Sequence, residues 1–189
     1  MDRLSLHCER ADCGAIQAFP GDVTYFELMG IGEDDGTRNQ PTYDIDMGEL
    51  RRNFLTLQQR VHPDGYSQKD QKEYAYAQQQ SSMINKAYQT LRDPIERSLY
   101  MLELNNVTID EAESVDDPEL LMEVLEAREQ LEGASNEDEA KVVQDGSEAR
   151  MNSLVEDISK AFKNKDYPLA KKLTIQLRYW NNIRNAARY

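Results

Sequence analysis

Few residues in this chain are of a type and spacing that could do chemistry. It has two histidines, His7 and His62, and two cysteines, Cys8 and Cys13. His62 opens the stretch His62-Pro63-Asp64-Gly65, which sets an imidazole, a ring without an N–H and a carboxylate side by side. Proline cannot continue a helix, and the residue before it is pushed out of the α region, so this stretch ends one helix at a fixed place. A Ser-His-Asp or Cys-His triad would have to use one of the two histidines. No residue near His62 is nominated as a nucleophile, and a turn at the tip of a hairpin is no cleft. The chain holds no Gly-Lys pair, hence no phosphate loop, and no Gly-x-Gly-x-x-Gly fingerprint. With no catalytic residues assigned, the chemistry left to His62, Pro63 and Asp64 is recognition: a donor, a rigid ring and an acceptor offered to another protein.

Cys8 and Cys13 stand with four residues between them and His7 beside the first. Two thiolates are half of a tetrahedral zinc site, and no second pair follows anywhere in the chain. Free thiols or a truncated metal site are therefore the reading for Cys8 and Cys13, so no cofactor is expected, with zinc at this incomplete site as the alternative. No other cofactor is implied.

Helices must position these residues. Thr24 can cap a short helix, Tyr25 to Met29, closed by Gly30. Residues 32 to 44 are a Gly, Asp, Asn and Pro-rich loop. Asp46 then caps a helix whose apolar stripe is Met47, Leu50, Phe54, Leu57 and Val61, and whose other face carries Arg51, Arg52, Asn53, Gln59 and Arg60. Past a polar loop, Gly65 to Gln71, a second long helix would bury Tyr76, Met83, Ile84, Ala87, Tyr88 and Leu91, making an αα-hairpin with the first. Asp93-Pro94 opens a helix to Leu104.

Residues 105–116 are a polar, acidic linker, and Asp117-Pro118 is a further cap. On the next helix, Glu119 to Leu131, the residues Leu120, Val124, Ala127 and Leu131 already make a complete core line. Leu121, Met122 and Leu125 are surplus on a neighbouring face, to be covered by a third helix or by a partner. A long helix from Ala140 to Lys163 would use Val142 or Val143, Met151, Leu154, Ile158 and Phe162. A last helix, capped by Asp166, would bury Leu169, Leu173, Leu177 and Trp180, with Tyr179 beside Ile175 pointing away. No strand pattern is present. The fold class is all-α: an N-terminal extension (1–21), a helical-hairpin domain (22–104), the linker (105–116) and a three-helix bundle (117–189).

An apolar fraction of 39% suffices for two such cores, and no run approaches the ~18 apolar residues of a membrane span. The N-terminus reads as neither a secretory signal nor a transit peptide, so a leader for an imported protein is not part of this sequence. Net charge is −13, in blocks of alternating sign. Residues 50–102 carry 8 basic and 5 acidic groups, whereas 103–148 carry 2 and 16. Such a chain is a poor nucleic-acid binder, and its patches suit protein partners.

The order Tyr25-Phe26-Glu27-Leu28-Met29-Gly30-Ile31, the Leu50 to Val61 helix, His62-Pro63-Asp64 and Ile84-Asn85-Lys86-Ala87-Tyr88-Gln89-Thr90-Leu91 resembles a J domain. The continuation, Asp93 to Leu102, then Asp117-Pro118-Glu119-Leu120-Leu121-Met122-Glu123-Val124-Leu125-Glu126, then Asp166-Tyr167 through Leu177-Arg178-Tyr179-Trp180, resembles the HscB family, J-proteins of iron–sulfur cluster biogenesis. The likeness runs over residues 22 to 187.

It implies a co-chaperone, not an enzyme, that binds an IscU-type scaffold and delivers it to a DnaK-type chaperone whose ATPase it stimulates. Carried over residue by residue, it assigns His62, Pro63, Asp64, Arg51, Arg52 and Arg60 to the chaperone, and Leu121, Leu125 and Tyr179, with Leu120 and Met122 nearby, to the scaffold. Cys8 to Ala18 resembles the second half of the Cys-rich extension of eukaryotic members, whose paired Cys-x-x-Cys motifs are reduced here to one wider pair. That extension implies a mitochondrial matrix protein. Two alternatives remain open: a metal or cluster carrier built on His7, Cys8 and Cys13, and a J-protein with an unrelated client.

Overall fold

Local capping chemistry sets where each helix begins. In a computed structural model the protein is described at residues 6–8, 10, 13–34, 36, 39–110 and 117–186; the rest of the N-terminal extension, linker residues 111–116 and the last three residues lie outside the described set. The chain forms two compact units, 1–96 and 97–189.

In the first unit Thr24 and Glu27 form a reciprocal capping box on α1 (Tyr25–Met29), and Gly30 closes it in the left-handed region. Asp46 caps α2 (Met47–Val61), accepting from the N–H groups of Gly48 at 2.7 Å and Glu49 at 3.0 Å. A single 3₁₀ turn, Pro63–Tyr66, leads to α3 (Gln71–Arg92), capped by Asp70. Helices α2 and α3 pair antiparallel. Phe54 stacks on Tyr88 at 4.2 Å, and Gln58 and Ser81 exchange two hydrogen bonds, Gln58 Nε2 to Ser81 O and Ser81 Oγ to Gln58 Oε1. The core holds Phe26, Leu28, Met29, Leu50, Val61, Ala77, Ile84, Ala87 and Leu91.

Three expectations are corrected in this unit. Met47 is exposed, because the first turn of α2 overhangs the core. Asn53 belongs to the packed side, since its side chain donates to Met29 O at 2.9 Å and so ties α2 to the end of α1. The loop after Gly30 contains a two-residue hairpin, β1 (Glu33–Asp34) with β2 (Asn39–Gln40), too short to leave a sequence pattern. Gly32 makes it possible: at φ 119°, a Cβ there would lie 2.2 Å from Gln40 O.

The second unit comprises α4 (Pro94–Leu104) from Arg97 onward, α5 (Pro118–Glu132), α6 (Glu137–Lys163) and α7 (Tyr167–Ala186), with α6 and α7 the most extensively packed pair. The division between the two compact units falls within α4, between Glu96 and Arg97. Ser98 accounts for this: its fully buried hydroxyl lies 2.6 Å from that of Thr174 on α7, with Met101 and Leu102 buried beyond it. Thr174 spends its one hydrogen on Ala170 O, so Ser98 is the donor.

That polar pair also shifts the buried stripe of α7. Ala170, Thr174, Ile175, Leu177, Trp180 and Ile183 are buried, whereas Leu169 is exposed and Leu173 half-buried. On α6, Val143 is buried and Val142 is exposed.

Thr174→Val keeps the volume but leaves the Ser98 hydroxyl without its acceptor, so it is expected to cost about 1–3 kcal/mol in urea unfolding. Adding Ser98→Ala should recover part of that loss; a strictly additive double mutant would show that the pair does not act as a unit.

Candidate functional site

His62 ends α2 and at the same time caps the turn that follows. Its Nδ1 accepts from the Asp64 N–H at 3.3 Å and lies 3.6 Å from Asp64 Oδ2. With Nδ1 turned inward as acceptor, the ring presents Nε2 outward. The His62 and Asp64 side chains are 59% and 92% exposed, a degree suited to contact and not to catalysis in a closed site. Gly65 N donates to His62 O at 3.0 Å, and Ser67 Oγ to Asp64 O at 2.9 Å, which holds the turn locally.

Arg51, Arg52 and Arg60 are all exposed on α2. Arg60, nine residues or about two and a half turns after Arg51, lies on the opposite side of the helix from it, whereas Arg51 and Arg52 share one flank. Sequence reasoning overlooked Leu55, 48% exposed on this flank, one turn from Arg51 and Arg52. Its lying outside the Leu50, Phe54, Leu57, Val61 stripe was the available signal.

Tyr66 was also overlooked. It is the buried residue of the 3₁₀ turn; its hydroxyl donates to Arg60 O at 3.1 Å and lies 2.7 Å from His7 Nε2. Burial, helped by the negative Glu73, holds the Tyr66 hydroxyl above its ordinary pKa and keeps its proton in place. Burial and the positive Arg60 hold the His7 imidazole below its ordinary value, against a hydrogen bond with the Arg60 backbone.

Cys8 is half-buried and Cys13 exposed, both as free thiols. Among the described residues no three His, Cys, Asp or Glu side chains are grouped to hold a metal ion.

In the second unit Asp117 accepts from the Leu120 N–H at 3.2 Å as the cap of α5, and its other oxygen meets Lys172 Nζ at 3.0 Å and Gln176 Nε2 at 3.3 Å on α7. Further along, Glu123 pairs with Arg150 of α6 at 2.5 Å. Between these two fastenings Leu121, Met122 and Leu125 are 45%, 59% and 52% exposed, so among the described residues no third helix covers the surplus face within this unit. Leu120, by contrast, is buried in the core line. Leu121 and Leu125 follow Asp117 at four-residue steps, and Tyr179, half-buried, follows Gln176 by three. The Asp117 cluster therefore brings the two stripes to the same side and level of the bundle. Ile175, expected beside Tyr179 on that face, is in the core instead.

Residues 116–188 match the family described as the HSCB C-terminal oligomerisation domain. The chain is 31% identical over 172 residues to the human iron-sulfur cluster co-chaperone protein HscB, covering 90% of this chain and 70% of that one. It belongs to the HscB family of co-chaperones. Yeast mitochondrial J-type co-chaperone JAC1 is 33% identical over 152 residues, covering 77% of this chain and 78% of that protein. The crystal structure of human HscB superposes with a TM-score of 0.86 at 30% identity, covering 97% of this chain and 88% of that one. HscB from Vibrio cholerae gives 0.74 at 27% identity, covering 87% and 95%. The α2–turn–α3 hairpin is thus the J domain of an HscB-family member. No described helix is long and apolar enough to cross a membrane.

Asp117 generates a pH prediction. The Lys172 ammonium, then the Leu120 N–H, hold its carboxyl below the ordinary carboxylate pKa. A folded-state pKa below the unfolded ~3.9 means that this stabilisation is present above that value and is lost as pH falls through the folded pKa. Asp117→Asn, which keeps the cap but not the charge, should lower the urea midpoint at neutral pH, with the gap closing as pH falls through the depressed folded-state pKa. A gap independent of pH would remove the ion pair from the account.

Proposed function

We propose that this HscB-family protein binds an IscU-type iron–sulfur scaffold through its C-terminal bundle, delivers it to a DnaK-type chaperone and stimulates that chaperone's ATPase, promoting cluster transfer in the mitochondrial matrix. The observation that carries the reading is the pairing, in one chain, of an exposed His62-Pro63-Asp64 turn on a basic helix with an uncovered apolar face on an acidic one. The two surfaces are opposite in chemistry, as two different partners require.

The turn is the chaperone contact. His62 Nε2 offers a donor and Asp64 an acceptor at fixed spacing. Arg51, Arg52 and Arg60 steer toward an acidic surface, an effect that weakens with salt because these groups are exposed. Stimulation then consists of contacts made by this turn to another protein's machinery. Being named mitochondrial, the yeast relative supports the compartment.

The scaffold contact is Leu121, Met122 and Leu125 with Tyr179. Leu120, being buried, supports these residues from below. Glu126 and Glu129 follow Met122 and Leu125 by one turn each, next to the apolar centre, and favour a partner whose own apolar patch carries basic groups.

His62→Gln removes the ring that lets one nitrogen cap Asp64 while the other faces outward. It should abolish stimulation of a DnaK-type ATPase from the same compartment, with circular dichroism and scaffold affinity unchanged; retained stimulation would refute the role of the turn. Leu121→Ala, Leu125→Ala and Tyr179→Ala combined should weaken scaffold binding in calorimetry by roughly 3 kcal/mol or more, a factor of at least about 100 in Kd. Unchanged affinity would place the docking face elsewhere.

A further inference from the structure

The His62-Pro63-Asp64 turn is poorly equipped to hold its own shape. Its internal hydrogen bonds are local, and its two functional side chains stand largely in water. Segments with few buried contacts and exposed backbone bonds are the first to open in a folded protein. The buried residue here is Tyr66, and what Tyr66 touches decides how firmly the turn is held.

Its hydroxyl donates to Arg60 O, one of the last carbonyls of α2, which have no partner within the helix because Pro63 stops it. One phenolic hydrogen is available, so the 2.7 Å contact with His7 is satisfied when His7 carries a proton on Nε2 and donates to the tyrosine oxygen. His7 is itself held. It forms an antiparallel bridge with Ile16; Cys8 N donates to Ala15 O at 2.7 Å, and Gln17 N to Leu6 O at 3.0 Å. Leu6 and Ile16 on either side are buried. Gln80, fully buried on α3, donates through Nε2 to Leu6 O at 3.0 Å and to Gln17 O at 2.6 Å, gripping both arms of this hairpin.

We propose that the N-terminal hairpin around His7 and Ile16 is a strut for the chaperone-contacting turn, with His7 and Tyr66 as positioning residues that transmit the grip of Gln80 on the hairpin to the end of α2. The turn is then fixed from two sides: along the chain by Pro63, and across it by a segment more than fifty residues earlier. The extension thereby has a task that does not depend on a metal ion. The consequence for ATPase stimulation rests on the reading given under Proposed function; the mechanical claim does not.

The test uses the full chain, with His7→Phe, which keeps a ring but no donor, His7→Gln, which restores a donor, and Tyr66→Phe. The readout is amide exchange of Gly65 and Lys69, whose N–H groups donate to His62 O and Tyr66 O, against Ile84 in the middle of α3. His7→Phe should speed exchange at Gly65 and Lys69 by about tenfold with Ile84 unchanged, and His7→Gln should restore most of the protection. A change at Gly65 and Lys69 below roughly threefold, or an equal rise at Ile84, overturns the strut. If Tyr66→Phe fails to fold, the His7 pair alone decides. Stimulation of a DnaK-type ATPase should fall several-fold in His7→Phe with scaffold affinity intact. A wild-type protein that stimulates no such ATPase would count against the proposed function, while the exchange rates would still decide the strut.

Discussion

The structure of the first unit depends on the place where α2 is made to stop. Pro63 has no N–H and a fixed φ, so the ladder of α2 cannot pass His62, and the final carbonyls of the helix must find partners elsewhere. One of them, Arg60 O, takes the Tyr66 hydroxyl, which is possible only if the chain after the proline curls at once into a tight 3₁₀ turn. That curl throws His62 and Asp64 outward. The exposure of the contact residues and the satisfaction of the helix end are therefore one geometric fact. The arginine side chains before the turn stay in solvent because none of them lies on the buried stripe of α2.

The second unit solves a different problem. A helix with more apolar residues than its core line needs must either be buried all round or leave a face in water. Here α5 is fastened through polar contacts at two points, Asp117 with Lys172 and Gln176, and Glu123 with Arg150. Between them its surplus leucines and methionine remain open. Fastening through polar groups fixes the angle of the helix without consuming apolar surface, and it brings the stripe that follows Gln176, with Tyr179, to the same side as Leu121 and Leu125. The pairs themselves are partly exposed and contribute modestly to stability; their effect is on placement.

Membership of the HscB family gives these two surfaces a common sense. Under the proposed function one protein is held while another is touched, and a basic, polar contact and an apolar one would not compete for the same partner. The N-terminal segment has a packing role of its own. Its two thiols are accompanied by no third ligand among the described residues, yet its backbone and His7 are engaged with α3 and the turn.

The sequence by itself determined whatever depends on neighbours within about four residues. The caps at Thr24, Asp46 and Asp117, the stop at Pro63, the core line of α5 and the surplus of Leu121, Met122 and Leu125 were all legible, because helical periodicity and capping are local. Only the tertiary structure decided the fate of polar residues in apolar lines. Gln80 is buried because backbone carbonyls 63 and 74 residues away receive its amide, and Thr174 because Ser98, 76 residues away, donates to it. Each of these reads as surface in the sequence, so the stripe of α7 was placed on Leu169 and Leu173, and the support of Tyr66 by His7 was invisible. A buried polar group is stable only with its partner in place, and partners that far apart along the chain are brought together by the fold alone.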